Sequence, residues 1–78
     1  MNPYPTKKEE AALRDVLKYP LHSLAERAVR LDVTRGGVRH LLVRAEGKGL
    51  AMLEDDGSWS VTAEGRKWLR PLMAERKR

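Results

Sequence analysis

Only Asp32 and Val33 separate one amphipathic helical stretch from the next. Upstream, Leu24, Ala28 and Leu31 recur at helical spacing with Ala25 and Val29 beside them. Ser23 and Glu26 have the spacing of a capping box, in which each side chain accepts the other residue's backbone N–H. Downstream, Thr34 is placed to cap a helix whose apolar positions are Val38, Leu41, Leu42 and Ala45. Two helices joined by so short a turn, each with a face to bury, must fold back at an angle over a shared core. Arg27 and Arg30 are then expected outside that core or at its edge.

The flanking segments supply the rest of the core. Thr6 and Glu9 repeat the capping-box spacing and predict a first helix with Ala12, Leu13, Val16 and Leu17 inward. Lys7, Lys8, Arg14 and Lys18 face water, and Pro20 lies past the end. Gly47 and Gly49 are suited to stop the third helix. Beyond them "LAML" and "SWSV" flank "EDDG", a hairpin signal, with Leu53, Trp59 and Val61 as its apolar side chains. Thr62 is placed to cap a last helix with the stripe Trp68, Leu69, Leu72 and Met73, which Pro71 is expected to kink or interrupt. Residues 1–5 read as a flexible arm, 6–74 as one domain and 75–78 as a basic tail.

The order of elements and the residues Val33-Thr34, Val38, Leu42, Glu46 to Leu50, Val61-Thr62, Glu64 and Gly65 resemble the winged helix-turn-helix core of MarR-like and related small bacterial regulators. The match covers residues 23–69. It implies a mainly α fold with a small β-hairpin: a three-helix core, a two-stranded wing and a C-terminal helix, with the third helix in the major groove of DNA. Asp32 stands where this turn often carries glycine, a substitution that aspartate's access to the left-handed region permits. The chain ends soon after the last helix, so the dimerising helices and small-molecule sensing of MarR-like proteins are not expected.

A chain of 78 residues buries only about 60% of its unfolded surface, so the core is small. Without cysteine it has neither disulfides nor thiolate ligands, and His22 and His40 lack companions, so neither metal nor cofactor is expected. The first residues lack the apolar stretch of a secretory signal and no apolar run approaches membrane-spanning length, so a cytoplasmic, nucleoid-associated protein without membrane contact is expected. The net charge of +5 is unevenly spread. Residues 35–49 hold four basic side chains against one acidic, residues 50–65 four acidic and no basic, and residues 66–78 six basic against one acidic. Such clustering favours an anionic partner, with double-stranded DNA ahead of a membrane surface.

On the third helix the face opposite the apolar stripe carries Gly36, Arg39, His40, Val43 and Arg44, with Arg35 to one side. The candidate DNA-binding set is Thr34, Arg35, Gly36, Gly37, Arg39, His40, Val43, Arg44 and Lys48, joined by Lys7 and Lys8. Arg39 is the candidate for a bidentate contact to guanine. Gly36 and Gly37 weaken the first turn, each by up to about 1 kcal/mol relative to alanine. Gly36 points outward, where missing bulk would admit a duplex, and Gly37 lies nearer the apolar face, where close packing is the alternative. The acidic residues Glu54, Asp55 and Asp56 should turn away from phosphate or meet a basic partner. Trp59 reads either as a half-buried strand residue or as an exposed anchor. Leu72 and Met73 are candidates for a homodimer seam.

Asp55 and Asp56 form a carboxylate pair on a hairpin tip with no cleft around it, and hydrolase, transferase and redox motifs are missing, so an enzyme is not expected. The expected function is sequence-selective binding of double-stranded DNA by a small transcriptional regulator. Two alternatives stand beside it: an architectural DNA-binding factor of the recombination or excision type, and a protein-interaction adaptor using the acidic wing and Trp59.

Overall fold

In the computed structural model, the backbone is described for residues 4–76 and the side chains for residues 4–69. Each helix begins at a hydroxyl. For α1 (Lys7–Lys18), Thr6 Oγ1 accepts the Glu9 N–H at 3.1 Å while Glu9 Oε1 accepts the Thr6 N–H at 3.0 Å. Ser23 and Glu26 make the same reciprocal pair ahead of α2 (Leu24–Leu31). Thr34 caps α3 (Arg35–Gly47) by accepting the Gly37 N–H at 2.9 Å. These side chains satisfy donors that a helix start otherwise leaves without partners.

The chain leaves α2 through Asp32, whose φ of 57° and ψ of 47° are left-handed. The Val33 N–H then reaches back to the Ala28 carbonyl at 3.0 Å and the Asp32 N–H to that of Val29 at 3.3 Å, the paired bonds of a Schellman stop. At the end of α3 the same device recurs with Gly49 in the left-handed role at φ 78°. There the Leu50 N–H donates to Ala45 and the Gly49 N–H to Glu46. Gly47, by contrast, is still helical.

Strands β1 (Ala51–Leu53) and β2 (Trp59–Val61) pair antiparallel, with Ala51 opposite Val61 and Leu53 opposite Trp59. The hairpin closes through Glu54 and Ser58 around Asp55, Asp56 and Gly57, with Gly57 at φ 87°. That is the three-residue loop with glycine in its left-handed position. Thr62 opens α4 (Ala63–Arg76): its Oγ1 accepts the Gly65 N–H at 3.0 Å and donates to the Gly49 carbonyl at 2.6 Å. The architecture is mainly α with one two-stranded hairpin, compatible with winged-helix topology. Among the described residues no helix is long and apolar enough to cross a membrane.

The core gathers Leu13 and Val16 from α1, Ala28 from α2, Val38, Leu42 and Ala45 from α3, Leu50, Ala51, Trp59 and Val61 from the hairpin region, and Leu69 from α4. Four expectations need correction. Arg27 is not at the edge of the core but inside it, 1% exposed, with Nη1 2.9 Å from Asp15 Oδ2 and 3.1 Å from the Asp15 carbonyl. Leu53 is 48% exposed although it lies opposite the buried Trp59, whose ring takes the core at that level of the hairpin, while Leu50 and Ala51 are the buried residues on the first strand's side. Of the kink or interruption expected at Pro71, the interruption does not occur: α4 continues through it to Arg76. Tyr4, placed by the sequence in the arm, packs edge-on against Trp68 with ring centroids 4.5 Å apart. The side chains of Leu72 and Met73 lie outside the described residues.

Gly65 is the glycine that the fold itself requires. A Cβ there would stand 2.2 Å from the Leu50 carbonyl oxygen and 2.7 Å from Val61 Cγ1, where α4 crosses the start of the hairpin. Because the obstacle is backbone, Gly65→Ala should cost about 3 kcal/mol, the upper end for overpacking. A thermal melt should show a fall of more than about 10 °C, given the ~4–8 °C per kcal/mol typical of domains this size.

Asp15 joins α1 to α2 by accepting from Arg27 and from Arg30, whose Nε lies 2.6 Å away and whose guanidinium stacks over the Tyr19 ring at 4.1 Å. Burial opposes the charge of Asp15, but hydrogen bonds from Arg30 and Arg27 outweigh it and hold the carboxyl below its ordinary value. A carboxylate depressed by folding stabilises the native state above its unfolded pKa, about 3.9, and loses that contribution as pH falls through the folded value. Asp15→Asn should therefore cost at least about 3 kcal/mol near neutrality, since Arg27 is left buried without its counter-charge. In denaturant titrations the gap between wild type and variant should narrow as pH is lowered below about 4.

Candidate nucleic-acid interface

The third helix presents two unlike ends. Over its first two turns Arg35, Gly36, Arg39 and His40 are exposed, and among the described residues no ion pair or side-chain hydrogen bond holds Arg35, Arg39 or His40. Val43 follows on the same side, 43% exposed. The inward face is the expected one: Val38, Leu42 and Ala45 are fully buried, and Leu41 packs against them. The helix is thus anchored along one side, with its cationic side chains projecting from the other.

At the far end the cations are already engaged. Lys48 Nζ lies 2.6 Å from Glu9 Oε1 and 3.0 Å from the Tyr4 carbonyl, and its side chain is only 12% exposed. Arg44 Nε is 3.2 Å from Glu9 Oε2, with its side chain still 54% exposed. Burial works to raise the pKa of Glu9, yet the hydrogen bond from Lys48, that from the Thr6 N–H, and the charges of Lys48 and Arg44 hold it below its ordinary value. The residue that caps α1 therefore also pins the end of α3. Neither Glu9 nor Tyr4 belongs to the set expected from sequence, and only the capping-box spacing marks Glu9 there.

The two neighbouring glycines divide as their positions suggest. An added Cβ at Gly36 would meet nothing within 4 Å, so the front of α3 is bare. At Gly37 it would sit 3.1 Å from Thr34 Oγ1 and 3.6 Å from Val33 Cβ, and the Gly37 N–H is taken by that same Thr34 oxygen. Gly37 serves the cap. Thr34 is exposed beside it. Lys7 and Lys8 are exposed in the first turn of α1, and Lys8 borders a groove of about 180 Å³ with Leu31, Asp32, Val33 and Leu41, beside the turn that leads into α3.

The wing spends most of its acid on itself. Glu54 Oε2 accepts the Ser60 hydroxyl at 2.6 Å. Asp56 Oδ1 accepts the Ser58 hydroxyl at 2.6 Å and its N–H at 2.9 Å, bonds that hold the Asp56 carboxyl below its ordinary value. Asp55 is exposed at the tip. Trp59 is 8% exposed and lies in the core, so it is a strand residue and not a surface anchor.

Lys48 and Arg39 should behave differently on substitution. Lys48→Ala strips the buried Glu9 carboxylate of its nearest counter-charge and should cost about 3 kcal/mol, near the lower end for breaking a buried pair because Arg44 remains. Arg39→Ala should leave stability within about 0.5 kcal/mol, as exposed substitutions without partners do. Urea unfolding of the two variants beside wild type checks both.

Comparison with protein families, with characterised proteins and with solved structures gives no match to this chain.

Proposed function

We propose that this chain binds double-stranded DNA sequence-selectively, as a small transcriptional regulator that sets the first two turns of α3 into the major groove. The observation that carries this reading is the front of α3, where Arg35, Arg39 and His40 project from a well-anchored helix around a position, Gly36, with no side chain and open space beyond it. An arginine so placed has the fork of donors that matches the O6 and N7 acceptors of guanine. The first N–H groups of the helix and the nearby Lys8 favour phosphate on either side. Arg44 and Lys48, being tied to Glu9, support the helix more than they add contacts. The burial of Trp59 removes the aromatic anchor on which the adaptor alternative drew.

Salt dependence tests the reading. With about three to five phosphate contacts, the logarithm of the association constant should fall against the logarithm of salt concentration with a slope of about −3 to −5. Fluorescence anisotropy on duplexes selected from a random pool gives that slope. Arg39→Ala should weaken binding to a selected duplex by about tenfold or more, and to an unselected one far less. A slope near zero, or equal binding of all duplexes by wild type, overturns the proposal.

A further inference from the structure

We infer that Val43 reads the 5-methyl group of a thymine lying within two base pairs of the guanine contacted by Arg39, an inference that rests on the DNA-binding reading above. Among the described residues Val43 is the one large apolar side chain of α3 left substantially exposed, at 43%, while Val38 and Leu42 on the same helix are wholly buried. Its exposure has no structural compensation: a β-branched residue is a poorer helix former than alanine, and its methyl groups gain nothing from water.

Position supplies the rest. Val43 follows Arg39 by four residues, so it shares that face about 6 Å further along the helix axis. Steps between stacked base pairs are about 3.4 Å, which places the two side chains over bases no more than about two steps apart. The cationic surface changes there as well. Beyond Val43, Arg44 keeps its side chain 54% exposed while its Nε lies 3.2 Å from Glu9 Oε2. Val43 is thus an apolar step on the outer face between Arg39, which has no acidic partner among the described residues, and an arginine already paired. The apolar feature available on a base edge in the major groove is the thymine methyl, and aliphatic side chains are its ordinary partners.

The experiment uses the full chain and a duplex that it prefers, with each thymine within two base pairs of the Arg39-dependent guanine replaced in turn by deoxyuridine. Deoxyuridine keeps the pairing edge and the O4 acceptor and lacks only the methyl. Wild type should bind one such duplex about three- to fivefold more weakly, the ratio for one buried methyl-sized group. Val43→Ala, an exposed change toward a better helix former, should bind both duplexes alike, whereas Arg39→Ala should keep the thymine preference on whatever it still binds. The inference is overturned if wild type binds both duplexes equally, if Val43→Ala retains the preference, or if selected sites carry no thymine in that window. Failure to select any site at all overturns the DNA-binding reading first and this inference with it.

Discussion

A buried carboxylate near each end of α1 decides where the cations of the next two helices go. Asp15 takes Arg27 and Arg30 from α2, and Glu9 takes Lys48 and Arg44 at the end of α3. Of the six lysine and arginine side chains between Arg27 and Lys48, only Arg35 and Arg39 are left without an acidic partner among the described residues. Burying charge is costly, and a buried pair adds little net stability over an apolar equivalent. Its value here lies in registry. Each carboxylate accepts from two cations at once, so α1 helps set the positions of α2 and α3 and leaves Arg35 and Arg39 as the cations of α3 without an acidic partner among the described residues.

How much of this was legible in the sequence depended on the range of the interaction. Caps and stops are local, and so Thr6 with Glu9, Ser23 with Glu26, Thr34, the turn at Asp32 and the cap at Thr62 all stand where their spacing implies. The burial of Arg27 was partly visible: it lies three residues after Leu24 and four before Leu31, inside the apolar stripe of α2. Its charge argued the other way, and only its partner across the core, twelve residues back, reverses that. The pairing of Glu9 with Lys48 spans 39 residues and leaves no periodic trace. Leu53 fits the alternation of a strand, but the larger Trp59 opposite it takes the buried place on that face, a cross-strand outcome that alternation alone does not encode. The front of α3, by contrast, was readable, since a polar outer face needs only its own helix to define it.

The acidic wing shows why net charge over a segment is a poor guide to what a surface meets. The hairpin carries three successive acids, yet two of them accept hydrogen bonds from serines of the same loop and strand. Their work is to close a five-residue stretch in which Gly57 takes a left-handed conformation. Their charge nonetheless remains, and it lies on the element packed directly after α3. At physiological salt a field of this kind fades over about 8 Å. For the proposed duplex, negative charge at the tip would disfavour phosphate within that distance of the wing and leave the contacts to α3 and the first turn of α1.

Gly36 and Gly65 separate the two reasons for which a chain keeps glycine. At Gly65 the reason is inside: the Leu50 carbonyl and Val61 occupy the space that a Cβ would need. At Gly36 nothing inside objects, since an alanine there would touch no atom and would favour the helix by up to about 1 kcal/mol. Gly37, one residue on, is accounted for by its contact with the Thr34 cap. A helix weakened at one exposed position with no return in packing, turn geometry or capping is what the proposed DNA-binding reading accounts for, since a duplex set against that turn would use the missing bulk. The neighbours of Gly36 on that face are Arg35, Arg39 and His40, so the proposed partner would be a surface that tolerates close contact with backbone and favours positive charge. A nucleic-acid duplex meets both requirements, with phosphates for the helix end and base edges for the side chains behind it.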